Sequence, residues 1–310
     1  MEQCLNKLKS ILVITSSIDH TVDYIIKCYS RTARFYRLNV DLLSEYEIVV
    51  GGNTRWTISS LKEKWMIKRD DVYSIYYRKP RIPDLSEFEN SYKGMIAKDI
   101  IALINGIVDE FEGKVLTKPF ILRKTENKIF QLLYAERIGL TIPQSFIGNS
   151  NMKAQEFVGK ASIIKPITTG KIFNGNNVEV YQTNYFKKFT DDISLTPIYL
   201  QQYIDKQYEV RLTYIDGFFF TVRIDSQDKL DWRRDYDGLR YSLIECPADI
   251  RLKCLNLLDV FELNYGAFDF IVNKKGEWIY LEVNPNGQWQ WLEQVLGITI
   301  SKKIVGYLTS

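Results

Sequence analysis

Asp269, Glu282 and Asn284 are the residues of this chain best spaced for chemistry. They lie in "AFDFIVNKKGEWIYLEVNPNG", residues 267–287, where two apolar runs flank Lys274-Lys275-Gly276. That pattern predicts a β-hairpin turning at those three residues. Residues two apart on a strand point the same way, so Glu282 and Asn284 share a face. Asp269 and Glu282 stand at similar distances from the turn and should come nearly opposite each other. Two carboxylates and an amide carbonyl are hard oxygen donors. They suit Mg²⁺, which takes few protein ligands and completes its shell with water and phosphate oxygens. The plainer alternative is a solvated acidic face on an exposed hairpin.

Two more stretches carry polar groups in useful places. In "ASIIKPITTGKIFNGNN", Lys165 closes an apolar run and a loop rich in Gly and Thr follows. Such a loop offers backbone N–H groups to phosphate oxygens, and the lysine adds a point charge. The spacing is not that of a P-loop. In "YLQQYIDKQYEVRL" an apolar strand passes through a short polar link to Glu209 and Arg211, which share a face. An extended link of this kind can hold a planar base through its backbone.

These side chains need a scaffold, and the rest of the chain predicts a mixed one. "ILVITSS", the segment after it with Val22, Ile25, Ile26 and Tyr29 at helical spacing, and "ARFYRLNVD" read as strand, helix, strand. "YEIVVGG" and "RWTISS" form a hairpin at Gly51-Gly52-Asn53, and "VYSIYYRKP" is a further strand. A helix over 91–111 places Met95, Ile96, Ile100, Leu103, Ile104, Ile107 and Phe111 on its apolar side. A boundary falls in "GKVLTKPF". "TENKIFQLLYAERIGL" is a helix with Thr125 as N-cap and Gly139 as stop. "YEVRLTYIDGFFFTVRID" is a hairpin at Asp216-Gly217, and a helix over 247–261 has Pro247 in its first turn.

Composition narrows the function classes. The 310 residues allow two or three domains, and a net charge of +3 gives no basic footprint for nucleic acid. The single histidine, His20, excludes a zinc site built on several histidines. Cys4, Cys28, Cys246 and Cys254 have no metal or disulfide spacing, which suits reduced thiols in the cytoplasm. No apolar run is long enough to span a membrane.

"FDFIV", "YLEVNPNG", "TENKIFQLLYAERIGLTIP", "IIKP" and "LQQYI" occur in an order that resembles the ATP-grasp fold. The resemblance implies an α/β (α+β) chain: a pre-ATP-grasp domain over 1–117, a central subdomain over 118–194 and a C-terminal subdomain over 195–310, with ATP between the last two. It implies that Asp269, Glu282 and Asn284 hold Mg²⁺ and that Lys128 and Lys165 contact phosphates. Gln202 stands at the usually acidic hinge position, Tyr203 and Ile204 supply hinge backbone, and Glu209 lies near the ribose. The opening "ILVITSSIDHTVDYI", with "FYRLNVD", "YYRKP", "VRIDSQDKLDWRRD" and "NPNGQWQWLE", is similar to ligases of the microviridin or graspetide type. These close ω-ester or ω-amide rings in a ribosomal precursor peptide, read its leader, and are often homodimers.

For such a reaction Arg223, Arg233 and Arg211 are candidates to grip an acyl phosphate or a substrate carboxylate, since guanidinium binds either by a fork. A surface ion pair is the alternative for each. Asp231 is either a base for the attacking hydroxyl or a partner of a neighbouring arginine. Ser16, Ser17, Asp19 and Arg78 suit a ligand site or, equally, a helix cap and an internal ion pair. Trp289 and Trp291 suit the core better than a channel wall. The competing functions are a ligase that adds a free amino acid to a small molecule or protein tail, and a non-catalytic nucleotide- or peptide-binding module.

Overall fold

The computed structural model describes residues 8–51, 55–158, 162–168, 171–174, 177–180, 183–186, 192–230, 232 and 238–310, with backbone alone over 171–174 and 177–180. Two compact units divide it: residues 1–122, 215–218 and 288–310, and residues 123–214 and 219–287.

In the first unit the buried run Ser10–Thr15 is β1, the helix His20–Tyr29 is α1 and Arg34–Asn39 is β2. β1 pairs in parallel with β2, and Asp19 caps α1 by accepting from the N–H groups of Thr21 and Val22. Tyr46–Val50 (β3), Trp56–Ser60 (β4) and Trp65–Lys68 (β5) form an antiparallel sheet. The β3–β4 hairpin is as expected; Gly52 and Asn53 of its turn lie outside the described residues. Ser74–Tyr77 (β6), the helix Asn90–Glu110 (α2) and Lys114–Leu116 (β7) complete a parallel sheet ordered β2-β1-β6-β7. Leu12, Ile14, Trp56, Ile58, Ile75 and Ile107 join in one core. α2 reaches it from Ile100 onward: Ile104, Ile107 and Val108 are buried and Ile100 packs partly buried, whereas Met95 is 56% exposed, against the sequence reading.

The ambiguous polar residues of this unit are scaffold. Asp19 pairs with the buried Arg78 at 3.0 Å and accepts from Thr15 Oγ1, and Ser17 donates to Asp41. His20 is exposed beside Asp23. Trp289 is fully buried and Trp291 partly so.

The second unit follows the short helix Pro119–Thr125 (α3), whose last residues it includes. Lys128–Arg137 is α4, Ser145–Gly148 is β8, Asn151–Val158 is α5 and Ser162–Lys165 is β9. Lys171–Asn174 (β10) and Asn177–Val180 (β11) form a hairpin, followed by Asn184–Phe186 (β12) and Ile198–Gln202 (β13). An antiparallel sheet runs β12-β9-β13-β8, with Ala154, Ile193 and Leu200 in its core. Lys206–Ile215 (β14) and Phe218–Asp225 (β15) turn at Asp216-Gly217, both with positive φ, as that two-residue turn requires. Arg240–Leu243 is β16 and Ala248–Val260 is α6. Pro247 caps α6 rather than entering it, and Ile250, Cys254, Leu257 and Leu258 are buried on one side. Tyr265–Asn273 (β17) and Trp278–Asn284 (β18) complete a sheet ordered β16-β15-β14-β17-β18. The last helices, Gln290–Leu296 (α7) and Ile300–Thr309 (α8), belong to the first unit.

Candidate active site

The β17–β18 hairpin brings the acidic residues together. Asp269 and Glu282 are opposite each other in the antiparallel register. The ladder then shifts: Phe270 faces Tyr280, so Leu281 is an extra residue on β18. Such a bulge re-aims side chains. Leu281 and Glu282, consecutive on the strand, both line one cleft, together with Asp269 and Ile271. Phe268, Phe270 and Tyr280 pack against one another in the core behind it.

Asn284 closes the group. Its Nδ2 lies 3.2 Å from Asp269 Oδ2 and 3.2 Å from Glu282 Oε1. The positive end of an amide dipole thus sits between two carboxylates, and turning the amide over would present its oxygen instead. Among the described residues no group of three or more His, Cys, Asp or Glu side chains could hold a metal. Two carboxylates and one amide still fit Mg²⁺, because phosphate oxygens and water supply the remaining ligands. Two buried phenols lie nearby: those of Tyr199 and Tyr280 are pushed up, first by burial and next, for Tyr280, by Glu282. For Tyr199, Glu282 also raises it, against a lowering hydrogen bond to Ser145.

A glycine makes the turn after Asn284 possible. A Cβ on Gly287 would stand 2.5 Å from Ala267 Cβ and 3.3 Å from Asn284 Cβ. Gly287 N–H donates to the Asn284 carbonyl at 3.3 Å. The "NPNG" segment therefore needs glycine for close approach.

Lys128 is the first residue of α4. Asn127 caps that helix, accepting from the N–H groups of Ile129 and Phe130 at 3.1 Å. The expected cap, Thr125, instead ends α3, because a separate short helix precedes α4. Gly139 stops α4 with φ +77°, as expected. Lys128 Nζ donates to the Pro166 carbonyl at 3.1 Å and lies 3.9 Å from Glu282 Oε2. Lys165, at the end of β9, holds its Nζ 5.2 Å from the centre of the Tyr199 ring. Both lysines line the same cleft as Asp269 and Glu282.

The far wall of the cleft is the stretch after β13. Gln202, Tyr203, Ile204 and Glu209 all line it. Gln202 N–H is already given to the Gln144 carbonyl at 2.8 Å. Tyr203 packs on Tyr185, and burial followed by that neighbour pushes its phenol up. Glu209 accepts from Lys206 Nζ and from Trp232 N–H.

Of the arginines, Arg211 touches a carboxylate of the site and Arg223 pairs away from it. Arg211, on β14, is buried with Nε 3.3 Å from Asp269 Oδ1, and its Nε and Nη1 make no hydrogen bond among the described residues. Arg223, on β15, forks onto Asp225 at 2.8 and 2.7 Å and stacks 4.0 Å from the Tyr208 ring. Its pKa is raised, chiefly by that hydrogen bond. Neither is among the residues lining the cleft. Asp231 and Arg233 lie outside the described residues, as do 169–170 and 175–176 of the Gly-rich loop. Sequence reasoning missed Lys229, Thr183 and Gln201, which line the cleft, and Ile271 and Leu281 beside the carboxylates. Ile271 was legible by alternation from Asp269; Lys229 carried no signal beyond its charge.

Comparison with solved structures decides the class. A Chryseobacterium gregarium RiPP-associated ATP-grasp ligase, in complex with ADP and a leader and core peptide, is 26% identical, with 97% of this chain and 96% of that one covered at a TM-score of 0.85. The chain has the fold of the ATP-grasp ligases. The α/β fold read from its motifs holds. Macrocyclase MdnC of Microcystis aeruginosa MRC, bound with precursor peptide MdnA, is 23% identical at a TM-score of 0.85, over 96% of this chain and 99% of MdnC. The ATP-grasp ligase PsnB, complexed with a phosphomimetic variant of a minimal precursor, Mg and ADP, is 18% identical at 0.78, over 97% and 98%. No protein-family model matches the sequence, and no curated protein matches it. Among the described residues no helix is long and apolar enough to cross a membrane.

Proposed function

We propose that this ligase uses ATP and Mg²⁺ to activate Asp or Glu side chains of a ribosomally made precursor peptide and joins them to Ser or Thr hydroxyls, or to Lys amines, as macrocycles. One observation carries the reading. Asp269, Glu282 and Asn284 converge at a cleft lined by Lys128 and Lys165, in a chain similar along its length to a ligase complexed with leader and core peptide.

In this reading the Tyr203–Ile204 link holds adenine through its backbone, with Gln202 at the hinge, and Glu209 serves the ribose. Lys128 and Lys165 hold phosphates, and Lys229 adds a third cation to the same cleft. Asp269, Glu282 and Asn284 would hold Mg²⁺, and its charge would offset that of the transferring phosphoryl group. A substrate carboxylate oxygen attacks the γ-phosphorus, giving an acyl phosphate and ADP. A hydroxyl or amine then attacks the acyl carbon, phosphate leaves with the bonding pair, and the nucleophile's proton passes to a base. Catalysis here is positioning and charge stabilisation. Arg211, Arg223 and Arg233 grip the acyl phosphate or the carboxylate, Arg223 by exchanging Asp225 for substrate. Asp231 takes the proton or pairs with an arginine.

The domain division is a pre-ATP-grasp domain over 1–117 and ATP-grasp subdomains over 118–194 and 195–310. The enzyme works as a cytoplasmic homodimer of the microviridin or graspetide type, with no nucleic-acid or membrane partner. The test is tandem mass spectrometry of a candidate precursor, encoded beside the gene, after incubation with enzyme, ATP and Mg²⁺. Loss of one water per ring, localised to an acidic residue and a Ser, Thr or Lys, is the expected result; alkaline hydrolysis separates ester from amide. ATP turnover with an unmodified peptide would move the reading to a ligase for free amino acids.

A further inference from the structure

Gln131 sits on α4 three residues after Lys128 and is 4% exposed. Its Nε2 donates to the Thr125 carbonyl at 2.7 Å and the Val283 carbonyl at 2.9 Å. Its Oε1 accepts from the Tyr280 hydroxyl and from Val283 N–H, both at 2.9 Å. Every donor and acceptor direction of the amide is thus used. The orientation is unambiguous, since a reversed amide would set NH₂ against the Val283 N–H and oxygen against two carbonyls.

Val283 lies between Glu282 and Asn284, on the outer strand of its sheet. An outer strand has backbone groups without a ladder partner. At Val283 the planar side-chain amide of Gln131 stands in for the missing strand. The bulge at Leu281 shapes the grip: Tyr280 and Val283, three apart, both have buried side chains, the Tyr280 hydroxyl reaches Gln131 from the core, and Tyr280 N–H goes to the Thr141 carbonyl at 2.8 Å. Gln131 holds both sides of that bulge.

We infer that Gln131 is a positioning residue for the metal and phosphate wall, an inference that rests on the function proposed above. One side chain fixes the strand that aims Glu282 and Asn284, and it does so from the helix whose first residue is Lys128. Carboxylates and lysine are thereby set at one mutual distance before nucleotide arrives.

The test uses Gln131→Leu and Gln131→Glu in the full chain. ADP binding is titrated with and without Mg²⁺, and amide hydrogen exchange is followed at Val283. For Gln131→Leu the half-saturating Mg²⁺ concentration should rise about tenfold, the scale on which second-layer partners act at metal sites. Metal-free ADP affinity should stay near that of the wild type, and Val283 N–H should exchange faster. Gln131→Glu can donate to the carbonyls only when protonated, so its Mg²⁺ affinity should fall with rising pH over a range where the wild type's is flat. Unchanged Mg²⁺ dependence in Gln131→Leu overturns the inference, whatever happens to its melting temperature, and so does unchanged exchange at Val283. If the wild type itself binds ADP without regard to Mg²⁺, it is the ligase reading that fails, and the exchange comparison alone decides whether Gln131 holds the strand.

Discussion

Replacing Lys128 by methionine separates binding from folding. The Lys128 ammonium is 3.9 Å from Glu282, with side chains 21% and 26% exposed. At that distance two unit charges interact by about 4 kcal/mol at an effective dielectric of about 20. Desolvation and the ordering of a long side chain remove most of that, leaving a net of roughly 1 kcal/mol or less for a partly solvated pair. Methionine keeps the unbranched stem and much of its packing, so the folded state should lose little. Nucleotide binding should suffer more, since a charge-assisted hydrogen bond contributes about 1.5–3 kcal/mol. That corresponds to roughly 10- to 150-fold in affinity. Isothermal titration of Mg²⁺·ADP together with urea unfolding of the same preparation reads both quantities. Affinity within about threefold of the wild type, or a stability loss of several kcal/mol, would refute the assignment of Lys128 to a phosphate.

Other substitutions probe the same wall. Gly287→Ala should push against Ala267 and displace Asn284, lowering Mg²⁺-dependent nucleotide binding while metal-free binding persists; equal Mg²⁺ titrations would count against the close-approach argument. Arg211→Met leaves the buried Asp269 without its adjacent cation. Unfolding free energy should fall by about 3 kcal/mol, as read by urea titration, and saturating Mg²⁺ with nucleotide should restore part of it; a loss below about 1 kcal/mol would mean the pair is not coupled. Burial raises the Cys246 thiol to about 11. Because the folded pKa lies above the ordinary thiol value of 9.0, the unfolded chain ionises first, and this group's contribution to stability declines as pH rises from 9.0 to about 11. Alkylation at pH 8 should therefore be slower at Cys246 than at the exposed Cys28; equal rates would contradict the burial.

That Asp269 and Glu282 come close was legible because a hairpin turn sets register to within a residue; counting outward from Lys275 pairs Asp269 with Leu281, and the bulge moves the partner to Glu282. The bulge was not legible. Leu281 is an ordinary strand residue, and nothing local marks it as extra. Thr125 and Asn127 are both good caps two residues apart, so choosing between them required knowing that α3 ends at Thr125. The apolar stripe of α2 was read over its whole length, but periodicity cannot say how much of a helix its neighbours cover. Gln131 and Lys229 owe their places to strands far away in sequence, and residue type alone does not report such contacts. Arg223 carried the right chemistry for a carboxylate, and the carboxylate it holds in this structure is Asp225.

We propose that the cleft lined by Lys128, Lys165, Asp269 and Glu282, with Asn284 against the two carboxylates, binds Mg²⁺·ATP to drive ring closure. Mass spectrometry of a precursor peptide incubated with wild type and with Glu282→Gln, each with ATP and Mg²⁺, tests it most directly. The account predicts loss of one or more waters with the wild type and none with the variant. Equal dehydration by both proteins would contradict it.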